Sequence, residues 1–266
     1  MKLRSSIFLI VCLSFFTSCE DLTDIAFPAN TPVLVIEGII TDQDHLNTVR
    51  LSTTTDVNDI VHSKPVSNAS VKLSNGAGDE EVLSHTENGF YRIEEIIGEI
   101  GETYTLEVSY QGQEYLATST MLPVSDIDTI TYRFKENSLI DYEGYYISFS
   151  APKSRKDQVN YYRWLLYKND TLLSGKADIF VSTDEFISSL KDLELDVPFQ
   201  KNDTVTLEMY SLDKSAYDYY LTLSTLITSD GGFFSPVPQN PTSNISNGAL
   251  GIFSASAVSS RKIVIE

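Results

Sequence analysis

From residue 33 onward the chain alternates between apolar and polar side chains. Val33 to Thr41 is β-branched and half alternating, and Thr48-Val49-Arg50-Leu51-Ser52-Thr53 alternates more cleanly, the period of a strand with one buried face. Val66, Ala69, Val71 and Leu73 precede a Ser74-Asn75-Gly76 turn, Glu81 to His85 follows it, and Asn88-Gly89 introduces Phe90-Tyr91-Arg92-Ile93. The clearest hairpin comes next. Thr103 to Tyr110 puts Tyr104, Leu106, Val108 and Tyr110 on one face, and Gln111-Gly112 turns the chain into Glu114 to Thr120, a pairing of strand period with turn chemistry. Strands at this spacing, with no helical period among them, predict a β-sandwich over residues 33–121.

Leu122 to Asp126, broken by Pro123, marks a joint over 122–127, and a second β-rich domain follows over 128–266. Its strand candidates are Thr129–Phe134, Tyr145–Ser150, Tyr161–Tyr167, Ala177–Ser182 and Val205–Ser211, with a last strand, Ile252 to Ile265, closing the second sheet. One amphipathic helix interrupts them at about 213–229. Asp213 caps it, Ala216, Tyr219, Tyr220, Leu223, Leu226 and Ile227 recur at helical spacing, and Asp230-Gly231-Gly232 stops it. The expected fold is therefore mainly β, with two β-sandwich-like domains, the second carrying the helix.

Between helix and last strand, Phe234 to Gly251 is rich in Pro, Asn, Ser and Gly. Long connections of this kind tend to be functional or disordered. Asn244, Gly248, Gly251 and Phe253 are thus candidate partner contacts, a structural clasp being the equal alternative.

The first 32 residues read as targeting. Lys2 and Arg4 form a positive n-region, and Ile7 to Leu13 an apolar stretch too short to span a bilayer. Small residues Thr17 and Ser18 stand ahead of Cys19, although Phe16 occupies the place where Leu is more usual. The pattern predicts a signal peptide over 1–18, cleavage before Cys19, acylation of that cysteine, and an acidic, Pro-containing tether over 19–32. Cys12 leaves with the signal and Cys19 carries lipid, so no disulfide, thiol nucleophile or thiolate metal site remains.

Charge narrows the partners. The chain holds 19 Lys plus Arg against 37 Asp plus Glu, and loss of Lys2 and Arg4 leaves 17 against 37. Such acidity argues against nucleic acid and against adhesion to anionic head groups. The acyl chains on Cys19 are then the membrane anchor.

Catalytic patterns are sparse. No Gly-x-Ser-x-Gly elbow occurs, and His45, His62 and His85 lack ligand spacing and read as solvated. Asp126 and Asp128 flank the joint, but abundant carboxylates make any search for a glycosidase pair at about 5 to 9 Å uninformative. Asp56, Asn58 and Asp59 form an acidic loop without the glycine turn and distal Glu of an EF-hand, so a plain solvated loop is the better reading. Gly231-Gly232 has no following Lys-Ser or Lys-Thr, which leaves nucleotide chemistry without support. Tyr161, Tyr162, Trp164 and Tyr167 straddle both faces of one strand, and Tyr217, Tyr219 and Tyr220 share the helix. Core packing is the leading reading for both groups, with stacking on a sugar or partner loop the alternative.

Two resemblances extend this reading. Pro65 to Val71, Gly89-Phe90-Tyr91 and Gly101 to Leu106 resemble the carboxypeptidase-regulatory or transthyretin-like sandwich, which implies a scaffold and no active site. Cys19-Glu20-Asp21, Leu34 to Gly38, Tyr161-Tyr162-Arg163-Trp164, Pro241 to Ile245 and Gly248 to Phe253 span nearly the whole mature length. In these segments the chain resembles the Bacteroidetes lipoprotein family DUF4249, a domain of unknown function. This resemblance implies an outer-membrane setting beside TonB-dependent transporters, and Glu20-Asp21 resembles a signal for export to the cell surface. The expectation is a non-enzymatic, lipid-anchored protein without cofactor, acting by binding as an accessory of such a transporter. A fimbrial anchor or adhesin-like subunit is the second reading and a glycan hydrolase or esterase the third.

Overall fold

The protein is described here from a computed structural model covering residues 31–44, 47–55, 63–173, 179–185, 189–228 and 239–266. The expected signal, Cys19, His45, His62 and the Asp56–Asp59 loop lie outside the described residues.

Alternation in the sequence becomes sheet faces. In β1 (Leu34–Thr41), Leu34, Ile36 and Ile40 are buried while Glu37 is exposed; in β2 (Thr48–Thr54), Val49 and Leu51 are buried. These two strands pair antiparallel, with β3 (Ser63–Pro65) and β7 (Phe90–Arg92) beside β2 and β6 (Ser84–His85) beyond β7. Opposite lies a sheet ordered β5 (Glu80–Val82), β4 (Ser70–Asn75), β8 (Thr103–Tyr110), β9 (Gln113–Thr120). The β8–β9 turn falls at Gln111 and Gly112, both at positive φ (50° and 76°), the backbone a two-residue hairpin needs to match strand twist. Tyr104, Leu106 and Val108 from β8 meet Ile36, Val49 and Leu51 in one apolar core. Burial of each such side chain contributes about 1.5–3 kcal/mol.

A second pair of sheets repeats the layering. One is β10 (Thr129–Lys135), β11 (Gly144–Pro152), β15 (Ser189–Glu194); the other is β13 (Thr171–Leu172), β12 (Tyr161–Lys168), β16 (Thr204–Leu212), β18 (Val258–Val264), with β14 (Phe180–Thr183) also on β12. Ile147 and Phe149 of β11 face Tyr162, Trp164 and Leu166 of β12 and Leu207 and Met209 of β16. The fold is mainly β, sandwich-like twice over. Its one helix among the described residues is α1 (Lys214–Thr228). Asp213 starts it: its Oδ1 accepts from the Ala216 amide at 2.8 Å, satisfying a donor the first turn leaves open.

One expectation is corrected. Ile252–Ile265 is not a single strand closing the second sheet. Residues Leu250–Ser256 form β17, which runs parallel beside β1 in the first sheet, and after Ala257 the chain continues as β18 in the second. β17 is buried on both faces: Phe253 enters the first core and Ile252 packs under the helix. The small residues Ser254, Ala255, Ser256 and Ala257 allow this passage, which the alternation rule for a half-solvated strand does not describe. Gly251 is required, since at φ +97° an added Cβ would stand 2.0 Å from the Ile36 carbonyl oxygen.

Candidate functional site

The outward positions of both sandwiches converge on one cleft. Because Ile36, Ile40, Val49 and Leu51 face the first core, period-two geometry turns Glu37, Ile39, Thr48 and Arg50 outward. By the same rule Tyr162, Trp164 and Leu166 in the second core leave Arg163 outside. Helix α1 brings Tyr219, Tyr220 and Leu223 over these residues at one-turn spacing. Together with Phe90 of β7, Ile179 and Ile252, they enclose about 360 Å³, within the range of small-molecule sites.

Two arginines dominate its polar chemistry. The Arg50 Nη1 donates to Glu37 Oε2 at 3.1 Å, and the guanidinium lies 5.7 Å from the Phe90 ring centre. The Arg163 guanidinium lies 4.1 Å from the Tyr220 ring centre, close enough for a cation–π contact. Arg163 has no ion pair among the described residues, and the Nε of each arginine is buried without a hydrogen-bond partner. Tyr219 packs edge-on to Tyr220 at 5.4 Å. Its hydroxyl is pushed up to about 12, chiefly by burial, with the Tyr220 hydroxyl and the Glu37 charge adding and Arg163 opposing.

Further along the same face, Glu208 Oε2 accepts from Tyr210 at 2.8 Å and Tyr167 at 3.1 Å. Burial, then the Glu208 charge, pushes the Tyr167 hydroxyl up to about 12 and raises that of Tyr210 further. Both tyrosines stay neutral donors at ordinary pH. Glu208 is thereby held in place without drawing on Arg163.

The residues singled out in the sequence fall in several places. Of the β12 aromatics, Tyr162 and Trp164 are core, while Tyr161 lies outside and stacks on Tyr217 at 4.7 Å. The described part of the tail, residues 239–251, is tied to β9 and β17. The Asn244 Nδ2 donates to the Phe253 carbonyl at 2.8 Å and the Thr118 carbonyl at 3.1 Å, and its Oδ1 accepts from the Phe253 amide at 3.1 Å. The Leu116 amide donates to Ser246 Oγ at 2.8 Å and the Ser246 amide to the Leu116 carbonyl at 2.9 Å. Phe253 is fully buried and Gly251 abuts β1; of the four candidate contact residues, Gly248 alone has open space around its Cα. His85 sits edge-on to Tyr91, and Asp126 and Asp128 are exposed. Among the described residues, no three His, Cys, Asp or Glu side chains gather where a metal ion would fit, and no helix is long and apolar enough to cross a membrane.

Sequence reasoning missed Glu37, Arg50, Phe90 and Arg163. The signal for the arginines was their outward strand positions in a chain short of basic residues, yet a solvated arginine looks the same until topology brings the outer faces together.

Fold and site define a class: a β-sandwich protein with an arginine- and aromatic-lined cleft under helix α1. The family model described as "Domain of unknown function (DUF4249)" matches residues 20–262, and the chain belongs to this family. No curated protein matches it. Among solved structures, the crystal structure of chicken CNTN1 FN1-FN3 domains is similar over 69% of this chain and 62% of that one, at 11% identity and a TM-score of 0.24. The chain thus spans less than two thirds of that structure's length.

Proposed function

We propose that this protein is a lipid-anchored lipoprotein of a Bacteroidetes outer membrane that works by binding, as an accessory of a TonB-dependent transport system. The observation that supports binding is the cleft, where the Arg163 guanidinium, without an ion pair among the described residues, stands among aromatic and apolar walls; convergent polar groups in an apolar pocket are the mark of a recognition site. The transporter setting is inferred from the family resemblance. In this reading the first sandwich is the transthyretin-like scaffold, Cys19 carries the acyl chains, and no nucleic acid or cofactor takes part. The fimbrial alternative calls for a spare donor strand; each described strand is hydrogen-bonded within the chain.

The test is a C-terminally tagged full chain recovered from gently solubilised outer membranes, with companions identified by mass spectrometry. A TonB-dependent barrel at near-equal amount supports the proposal. Fimbrial subunits transfer the chain to the anchor reading, and absence of any companion sinks both. A parallel Cys19→Ala chain is expected in the soluble fraction; its retention in the membrane refutes the lipid anchor.

A further inference from the structure

The cleft carries information about what it would hold. In a chain with 37 acidic and 19 basic residues, guanidinium groups near carboxylates normally end in ion pairs. Arg50 does so with Glu37. Arg163 does not: its aliphatic stem emerges from the outer face of β12, its guanidinium carbon lies 4.1 Å from the Tyr220 ring centre, and no carboxylate among the described residues pairs with it. Glu208, the nearest carboxylate on the adjoining strand by register, opposite Leu165, already receives two tyrosine hydroxyls. An unpaired guanidinium offers its terminal N–H groups as a planar fork, the geometry that takes a carboxylate in bidentate fashion.

The surroundings restrict the anion. Phe90, Tyr220, Leu223, Ile39 and Ile252 supply flat and apolar walls that reward a ring and reject a bare hydrated ion. Glu37 stands in the same cleft and, among the described residues, pairs with Arg50 only, so Arg163 remains as one positive group for one negative charge. A dianion would face the Glu37 carboxylate.

We propose that this cleft binds a small organic monoanion, a carboxylate carried on a flat apolar ring, with Arg163 gripping the carboxylate and Phe90 and Tyr220 flanking the ring. The proposal rests on the reading of the cleft as the binding site. Arg50 is a positioning residue in it, holding Glu37.

The probe is 4-fluorobenzoate, with 4-fluorobenzamide as its neutral counterpart, titrated into the detergent-solubilised full chain and followed by fluorine NMR. Benzoate is expected to bind at least 10-fold more tightly than benzamide, and Arg163→Gln to weaken benzoate by about 10- to 100-fold, the span of a charge-assisted hydrogen-bond pair. Arg163→Lys, which keeps charge but loses the fork, is expected to restore part of the loss, and it serves as the variant of record if Arg163→Gln fails to fold. Inorganic phosphate at equal concentration is expected to displace little benzoate. Equal binding of benzoate and benzamide, or unchanged benzoate affinity in a folded Arg163 variant, overturns the anion proposal while leaving the cleft as a site. Failure of both probes to bind overturns the cleft itself, a result distinct from failure of the membrane pull-down.

Discussion

Asn244→Ala separates a clasp from a docking surface. Asn244 makes three hydrogen bonds to backbone groups of two strands, at 2.8, 3.1 and 3.1 Å. Through them the tail ties its own β17 to β9. Each neutral bond contributes a net of about 0.5–1.5 kcal/mol, and leaving the Phe253 amide without an acceptor adds a desolvation penalty of about 1–3 kcal/mol. Because the alanine relaxes and water reaches the partly open Thr118 side, a net loss of about 2–4 kcal/mol is expected. For a chain of this size that lowers Tm by roughly 5–15 °C. The assay is calorimetry of wild type, Asn244→Ala and Asn247→Ala; Asn247 donates to the exposed Glu114 carbonyl and takes φ 56°, a left-handed position that strains alanine, so its loss is expected to cost about 1–2 kcal/mol, less than that of Asn244. A Tm for Asn244→Ala indistinguishable from that of Asn247→Ala would refute the clasp and return residues 244–253 to the list of partner contacts.

Other perturbations test the same framework. Gly251→Ala forces a side chain into φ +97° with its Cβ 2.0 Å from the Ile36 oxygen; a loss of more than about 3 kcal/mol, read as a urea midpoint, is expected from separation of β1 and β17. Asp213→Ala removes the α1 cap and the 2.6 Å bond from Ser119 Oγ, expected to cost about 1–3 kcal/mol and to reduce helical circular dichroism. Arg133, assisted by Lys135, lowers the Glu194 carboxyl from 4.5 to about 2. A depressed folded-state value means its stabilising contribution is present above pH 4.5 and lost as pH falls toward 2. Solvent screening of this half-buried cluster, whose Arg133 is exposed, limits the loss to about 1 kcal/mol, measured as the difference in urea midpoint between pH 5 and pH 3, which Glu194→Gln should narrow.

Much of the fold was legible because most strands bury one face. Tyr104, Leu106 and Val108 in β8, or Tyr162, Trp164 and Leu166 in β12, announce themselves by alternation, and Asp213 with the apolar period behind it announces α1. β17 was misread because both of its faces are covered, so its Ser-Ala run carries no period. β15 was not recognised: the β11–β15 register shifts between Phe149 and Ala151, and Asp192 takes φ 48°, which breaks the alternation over Leu190-Lys191-Asp192-Leu193. The cleft was the least legible part. Arg50 and Arg163 are 113 positions apart in sequence, and only the passage of β17 into the first sheet and β18 into the second brings their faces together. Asn244 reads as a loop residue until the return of Phe253 to β1 supplies its partners.

If the cleft beneath α1 holds a ligand, native mass spectrometry of the full chain released from its own outer membranes, beside Arg163→Gln prepared identically, will reveal it. A noncovalent organic acid of small mass is expected on the wild-type chain and is expected to be lost from the variant. The same bound mass on both, or an empty cleft in both, would contradict this expectation.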